Sequence, residues 1–312
     1  MPTTVKYRTL ELADNNVPVI ELTGGQDGPR LTVLAGVHGC EYAPMAAVRQ
    51  WTRALAARDG LRGTVTAVPV LNLTSFRSRT PFVTPDDGKN LNRCFPGDPD
   101  GTFSERLAAA VFRELITGSD AVIDVHAGDM VEALEPFALY DSGPAESRAR
   151  DLATAYGLGY VIRQEPGPDR AVGGTTSSAA AGLGIPAIIA EAGGCGLVEP
   201  AAVARHVRGL NQVLALLGMA GQPPAGAAPA GETGPVQLRR FLWLRCADAG
   251  FWEPAVGVGE TVAEGQLLGT VSTLDGAQVL QEITAPAAGV PMFITSSPAV
   301  AADGLLLGLG AE

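Results

Sequence analysis

Two of the three histidines in this chain stand at the ends of apolar runs, in Val37-His38-Gly39-Cys40-Glu41 and in Asp124-Val125-His126. A third apolar run, IPAIIA, ends in Glu191. Two imidazoles and one carboxylate form a ligand set suited to catalytic zinc, with a fourth position left to water. Zinc lowers the pKa of such a water towards ~7 and polarises a carbonyl. His38 and Glu41 are three apart where a strand should give way to a helix, and residues i and i+3 of a helical first turn share a face. His126 would join them from another strand. A histidine at a strand end can equally be an ordinary hydrogen-bonded residue.

The neighbours of these residues carry paired readings. Asp124 lies two residues before His126, hence on the same side of a strand, where it either orients a ligand histidine or caps the following turn. Glu191, at the mouth of an apolar crevice, suits a general base whose pKa is raised by burial; the alternative is a pair with an arginine. Asn90, Asn92 and Arg93 lie in DGKNLNRCFPGD, and Asn92 with Arg93 could clamp a substrate carboxylate. Arg77 and Arg79, just upstream, are candidates to stabilise an oxyanion. As loop arginines, all three could also be merely solvated.

The elements that must position these groups follow from hydropathy patterning. Leu31–Val37, Val65–Leu71, Ala121–Val125 and Ala187–Ala190 read as strands buried on both faces. Between them, Tyr42–Ala57, Ser104–Ile116 (with Ser104 as N-cap) and Pro200–Leu217 carry apolar residues at helical spacing. Alternating strands and helices predict an α/β fold with a mostly parallel or mixed sheet flanked by helices. Ligands then bind at the carboxyl ends of the strands, where His38, His126 and Glu191 fall. Residues 221–235, GQPPAGAAPAGETGP, read as a linker. Short glycine-punctuated runs beyond it predict a small all-β domain. The expected division is 1–220, catalytic; 221–235, linker; 236–312, C-terminal β domain.

The composition narrows the function class. Of 312 residues, 46% are hydrophobic and 18% charged, which excludes a disordered chain. A net charge of −11 argues against a nucleic-acid surface. No apolar stretch reaches the ~18–20 residues of a membrane helix, and the amino terminus lacks a secretory pattern. Cys40, Cys94, Cys195 and Cys246 are too scattered for a disulfide framework or a thiolate zinc site. A reduced, cytoplasmic protein is expected, with a homo-oligomer left open.

In order along residues 36–194, GVHGCEY, DGKNLNRCFPGD, DVHAG and GIPAIIAEAGG resemble the succinylglutamate desuccinylase/aspartoacylase family of zinc carboxypeptidase-like (M14) amidohydrolases. The resemblance implies one zinc per chain held by His38, Glu41 and His126, and Glu191 as the base that activates the water and hands the proton to the leaving amine. It implies Asn92 and Arg93 as carboxylate binders, and an upstream arginine, Arg79 rather than Arg77, polarising the carbonyl. Two departures set the chain apart from aspartoacylase itself: no arginine occurs from Ala171 to Glu191, and no tyrosine after Tyr160. The broad bacterial deacylase subgroup is the closer likeness.

The C-terminal segment is similar to biotinyl/lipoyl-type β-sandwiches. It has no lysine, so it is expected to cover the site's mouth rather than carry a cofactor. The three motif cysteines are expected to be small packing residues, and His206, in ARHVRG, a surface residue. The implied function is hydrolysis of the amide of a small N-acyl amino acid or related amine. The competing readings are a metallocarboxypeptidase acting on peptides and a non-catalytic binding protein with a degenerate site.

Overall fold

The computed structural model describes residues 2–12, 15–164, 173–220 and 234–312. The chain opens with an antiparallel pair, β1 (Thr4–Leu12) and β2 (Asn15–Thr23). β3 (Gln26–Ala35) leads to helix α1 (Tyr42–Ala56), and β4 (Arg62–Val68) to the short α2 (Leu73–Ser78). A single 3-10 turn, Leu91–Arg93, precedes α3 (Phe103–Val111), which continues as one π-helical turn, Phe112–Ile116. Next come β5 (Ala121–His126), β6 (Glu132–Leu134), β7 (Phe137–Asp141), α4 (Glu146–Tyr156) and β8 (Tyr160–Gln164). α5 (Thr176–Gly182), β9 (Ala187–Glu191) and α6 (Pro200–Leu216) follow.

These strands form one mixed sheet in the order β1-β2-β4-β3-β5-β9-β7-β8, with a ninth strand, β10 (Val236–Leu238), at its edge. Its centre, β4-β3-β5-β9, is parallel, and β7 runs antiparallel to β9. Period-two alternation sends Val33 and Ala35 of β3 to one face and Leu34 to the other. On the first face they meet Trp51 and Leu55 of α1, Tyr156 of α4 and Leu210 of α6. On the second, Leu34 joins Leu107 and Val111 of α3. With helices on both sides, β5 is buried along its whole length, AVIDVH.

The remaining strands are β11 (Arg240–Arg245), β12 (Gly250–Pro254), β13 (Leu267–Ser272), β14 (Val279–Thr284), β15 (Gly289–Thr295), β16 (Ala299–Val300) and β17 (Leu305–Ala311). They build two four-stranded sheets, β11-β17-β15-β6 and β14-β13-β12-β16, around Trp252, Leu268, Val271 and Leu307. Strands are exchanged between the two parts: β10 pairs with β8 of the large sheet, and β6 with β15 of the small one. Residues 221–233 of the expected linker lie outside the described residues. Among the described residues no helix is long and apolar enough to cross a membrane.

Three element boundaries depart from expectation for local reasons. β3 stops at Ala35, not Val37, because Gly36 turns the chain at φ +67°; a Cβ there would lie 3.0 Å from Val70 Cα. β4 stops at Val68 because Pro69 offers no N–H to the ladder. Ser104 is not the N-cap of α3. Thr102 is, with its N–H donated to Glu105 Oε2 (2.8 Å), while the Ser104 N–H and hydroxyl donate to Asp87 (2.8 Å each).

Candidate metal and active site

Because α1 begins only at Tyr42, His38 and Glu41 lie in the loop after β3 and not on a helical first turn. Glu41 is the residue that precedes the helix. The i,i+3 pair nevertheless converges: His38 Nδ1 lies 2.6 Å from Glu41 Oε1. His126, the last residue of β5, brings its Nδ1 to 2.9 Å from Glu41 Oε2. The three ligand atoms fall within 4.8 Å of one another.

The outer ring nitrogens decide whether this cluster suits a cation. His38 Nε2 lies 3.0 Å from Asn90 Oδ1, an oxygen that also accepts the Asn92 N–H at 2.8 Å. His126 Nε2 lies 2.9 Å from Asp124 Oδ2. Asn90 Oδ1 and the Asp124 carboxylate are acceptors facing the two Nε2 atoms, with the Asn92 amide nitrogen also 3.2 Å from His126 Nε2. With the proton on Nε2 of a neutral ring, each Nδ1 turns a lone pair towards Glu41. That is the tautomer a metal ligand needs. Electrostatics agree. Burial opposes charge at Glu41, but the two imidazoles outweigh it and hold the carboxyl down at about 2. Burial likewise works against both imidazolium forms, yet Glu41 raises the pKa of His38, and Asp124 with Glu41 raises that of His126. The cluster therefore attracts positive charge at its centre, and its donor set fits zinc.

Glu191 ends β9 and is the register partner of His126 on β5. Its Oε2 is buried without a hydrogen-bond partner, and desolvation, reinforced by Glu41 and Glu132 against the pull of His126, pushes its pKa up to about 8. Asp124, two residues before His126 and fully buried, also receives the Thr176 hydroxyl and, at 3.5 Å, the Asn92 amide nitrogen. Asn92 is buried as well, and its Oδ1 accepts the Thr176 N–H at 2.9 Å. Its amide is thus engaged with the groups that hold His126. Arg93 follows in the same turn, with Nη1 donating to Asn92 O at 2.7 Å and the guanidinium attracted by Glu191. The turn is pressed close to Gly174, where a Cβ would fall 2.3 Å from Arg93 O.

His38, Glu41, Asn92, Arg93, His126 and Glu191 all border one cavity of about 650 Å3, as bounded by the described residues. Arg77 and Arg79 are exposed and do not line it; Arg79 adopts a left-handed conformation at the end of α2. Glu132, whose carboxyl is pushed to about 7 chiefly by burial, stands in the cavity wall. Residues of the C-terminal sheets, including Phe241, Trp243, Arg245 and Phe293, complete that wall.

Two groups had no assigned place in the expected site. Asn90 was visible only as a loop residue, and the Asn-x-Asn spacing was its one signal. Thr176 lies in a run of small residues that carried none.

His206 does not lie at the surface as its charged neighbours suggest. It is fully buried, with Nδ1 2.9 Å from the Tyr156 hydroxyl and Nε2 3.0 Å from Ala192 O, and burial lowers its pKa to about 4. The charged residues around it face solvent while His206 shares the inner face of α6 with Val203, Leu210 and Val213. All four cysteines are free thiols. Cys94 Sγ lies 3.3 Å from Asn90 O and Cys195 Sγ 3.5 Å from Glu132 O, and burial raises the pKa of the Cys40 and Cys94 thiols.

Known proteins are similar to this chain in sequence and fold. Residues 27–217 match the family model of the succinylglutamate desuccinylase/aspartoacylase catalytic domain. The Nα-acetyl-L-2,4-diaminobutyric acid deacetylase of Halomonas elongata is 30% identical over 264 residues, 82% of this chain and 73% of that protein. The fold is also that of a succinylglutamate desuccinylase/aspartoacylase from Rhodobacter sphaeroides (TM-score 0.82, 24% identity, covering 98% of this chain and 94% of that one). The product-bound ectoine utilization protein EutE (DoeB) of Ruegeria pomeroyi superposes with a TM-score of 0.84 at 23% identity, covering 99% and 95% of the two chains. The chain thus belongs to the succinylglutamate desuccinylase/aspartoacylase family, a family of deacylases.

Proposed function

We propose that this protein is a zinc-dependent amidohydrolase that cleaves the amide of a small N-acyl amino acid or related N-acylated amine. One observation carries the reading: a buried carboxylate oxygen without a partner, on Glu191, shares a cavity with two imidazoles whose inward nitrogens converge with the Glu41 carboxylate within 4.8 Å of one another. Family membership and the deacetylase relative support the same class of reaction.

In this reading His38, Glu41 and His126 hold one zinc ion. Bound there, zinc supplies Lewis acidity, making water a nucleophile at neutral pH and polarising the amide carbonyl. Asn90 and Asp124 keep both imidazoles in the ligand tautomer. Glu191 Oε2 takes a proton from the attacking water and returns it to the departing nitrogen, a task for which an unpartnered, desolvated carboxylate is suited. Arg93 binds a substrate carboxylate, and Asn92 fixes the turn that presents it. The carbonyl-polarising role expected of Arg79 requires the turn after α2 to move inward, since Arg93 and Arg245 are the arginines that border the cavity among the described residues. A wall built from the C-terminal sheets favours a small substrate over a long peptide.

The test is release of free amine from a panel of N-acetylated amino acids and diamines by zinc-loaded protein. Amine release that Glu191→Gln lowers by about 10³-fold or more, with metal still bound, is the expected result. Well-folded, zinc-loaded protein that cleaves no member of the panel removes the hydrolase reading.

A further inference from the structure

Apolar side chains line the cavity from beside Glu191 outward. Phe137 on β7 is the register partner of Glu191 on β9. Two residues further along the same faces lie Leu139 and Ile189, and all four side chains border the cavity. The wall then passes to the small sheet, where Phe241 and Trp243 project from one face of β11 and Phe293 from β15.

The rings form one cluster. Phe137 and Phe241 are 5.6 Å apart, Phe241 and Trp243 5.0 Å, Trp243 and Phe293 5.4 Å, and Phe241 and Phe293 are stacked at 6.1 Å. A glycine makes this possible. On β17, between β11 and β15, a Cβ at Gly308 would lie 2.3 Å from Phe293 Cε1 and 2.6 Å from Phe241 Cζ. Phe137, Phe241 and Phe293 are buried behind this wall, whereas Trp243 keeps 36% of its surface exposed. The apolar surface left open on Trp243, backed by the three buried rings, gains free energy when a substrate covers it.

We infer that the site takes a substrate with a bulky apolar substituent on the scissile amide, an aryl or medium-chain aliphatic group that lies against Phe137, Phe241, Trp243 and Phe293. The inference rests on the hydrolase reading for its chemistry, but the apolar subsite itself can be probed without turnover.

Tryptophan fluorescence provides that probe. Trp51 and Trp252 are 1% and 2% exposed, so ligand-induced quenching reports Trp243, and Trp243→Phe should abolish the signal. The full-length zinc-loaded protein is titrated with acetate, hexanoate and phenylacetate, whose carboxylates are alike. Burial of one methylene is worth about fourfold in affinity, so hexanoate should bind at least about tenfold more tightly than acetate. Equal or weaker binding of both longer acids overturns the inference.

Turnover then locates the group. N-hexanoylglycine and N-acetylphenylalanine are compared with N-acetylglycine. A kcat/KM at least about tenfold higher for the first assigns the apolar group to the acyl side, and for the second to the amine side; Trp243→Ala should shrink either preference. No preference in either arm overturns the inference. Tight binding of hexanoate with no hydrolysis of any amide keeps the apolar subsite and removes the hydrolase reading instead.

Discussion

Asp124 offers a quantitative test of how the metal site is held. Its Oδ2 accepts from His126 Nε2 at 2.9 Å and from the Thr176 hydroxyl, in a fully buried position. In Asp124→Asn the amide oxygen can occupy the same place, so the acceptor survives and the negative charge is lost. A hydrogen bond to a charged group contributes roughly 1.5–3 kcal/mol and a neutral one roughly 0.5–1.5, so the substitution should weaken the hold on His126 by about 1–2 kcal/mol. At 1.4 kcal/mol per decade, zinc affinity should fall about 5- to 30-fold. Asp124→Ala, which removes the acceptor, should fall towards the far end of the 10- to 100-fold range of such partners. The assay is competition for zinc against a chromophoric chelator at pH 7.5, with melting curves of the metal-free variants to establish folding. Folded Asp124→Asn and Asp124→Ala proteins that hold zinc as tightly as the parent would show that Asp124 does not orient His126.

Buried and neutral, His206 predicts a pH signature. Its folded pKa of about 4 lies below the unfolded value near 6.5, so the unfolded chain binds the proton first as pH falls. Stability is full above about pH 6.5 and declines towards pH 4 by up to about 3 kcal/mol from this residue; chemical denaturation of His206→Gln should show a shallower decline, and parallel curves would contradict the reasoning. Arg93→Lys loses the planar fork that grips a carboxylate. It should raise KM for N-acyl amino acids about tenfold with a smaller change in kcat, and leave substrates without a carboxylate unaffected. Gly174→Ala forces a Cβ to 2.3 Å from Arg93 O at φ +81°. It should cost roughly 1–3 kcal/mol in stability and raise KM as the Arg93 turn shifts; an unchanged melting temperature would count against that close approach.

The parallel centre of the sheet was legible because strands buried on both faces leave long apolar runs, as in AVIDV and AIIA. Their polar terminal residues then fell on one rim by topology alone. What misled was local backbone geometry. Gly36 ends β3 early and α1 begins only at Tyr42, so His38 and Glu41 lie in a loop, yet that loop restores the convergence that helical spacing suggested. The burial of His206 could have been seen in the Val203, His206, Leu210, Val213 spacing, but the flanking arginines drew the reading to the surface. Asn90, Thr176 and the aromatic wall depend on contacts between segments far apart in sequence, which no local pattern encodes. The exchange of β6 and β10 between the two parts is of the same kind.

On the proposed reading, His38, Glu41 and His126 would hold one zinc ion through the inward nitrogens and a carboxylate oxygen. X-ray absorption at the zinc edge, paired with metal analysis of protein purified without chelator, tests it most directly. The expected result is one zinc per chain, with nitrogen and oxygen neighbours only, at about 2.0–2.2 Å, and loss of the metal in a folded His126→Ala variant. A sulfur neighbour at about 2.3 Å, or a folded protein that takes up no zinc, would contradict it.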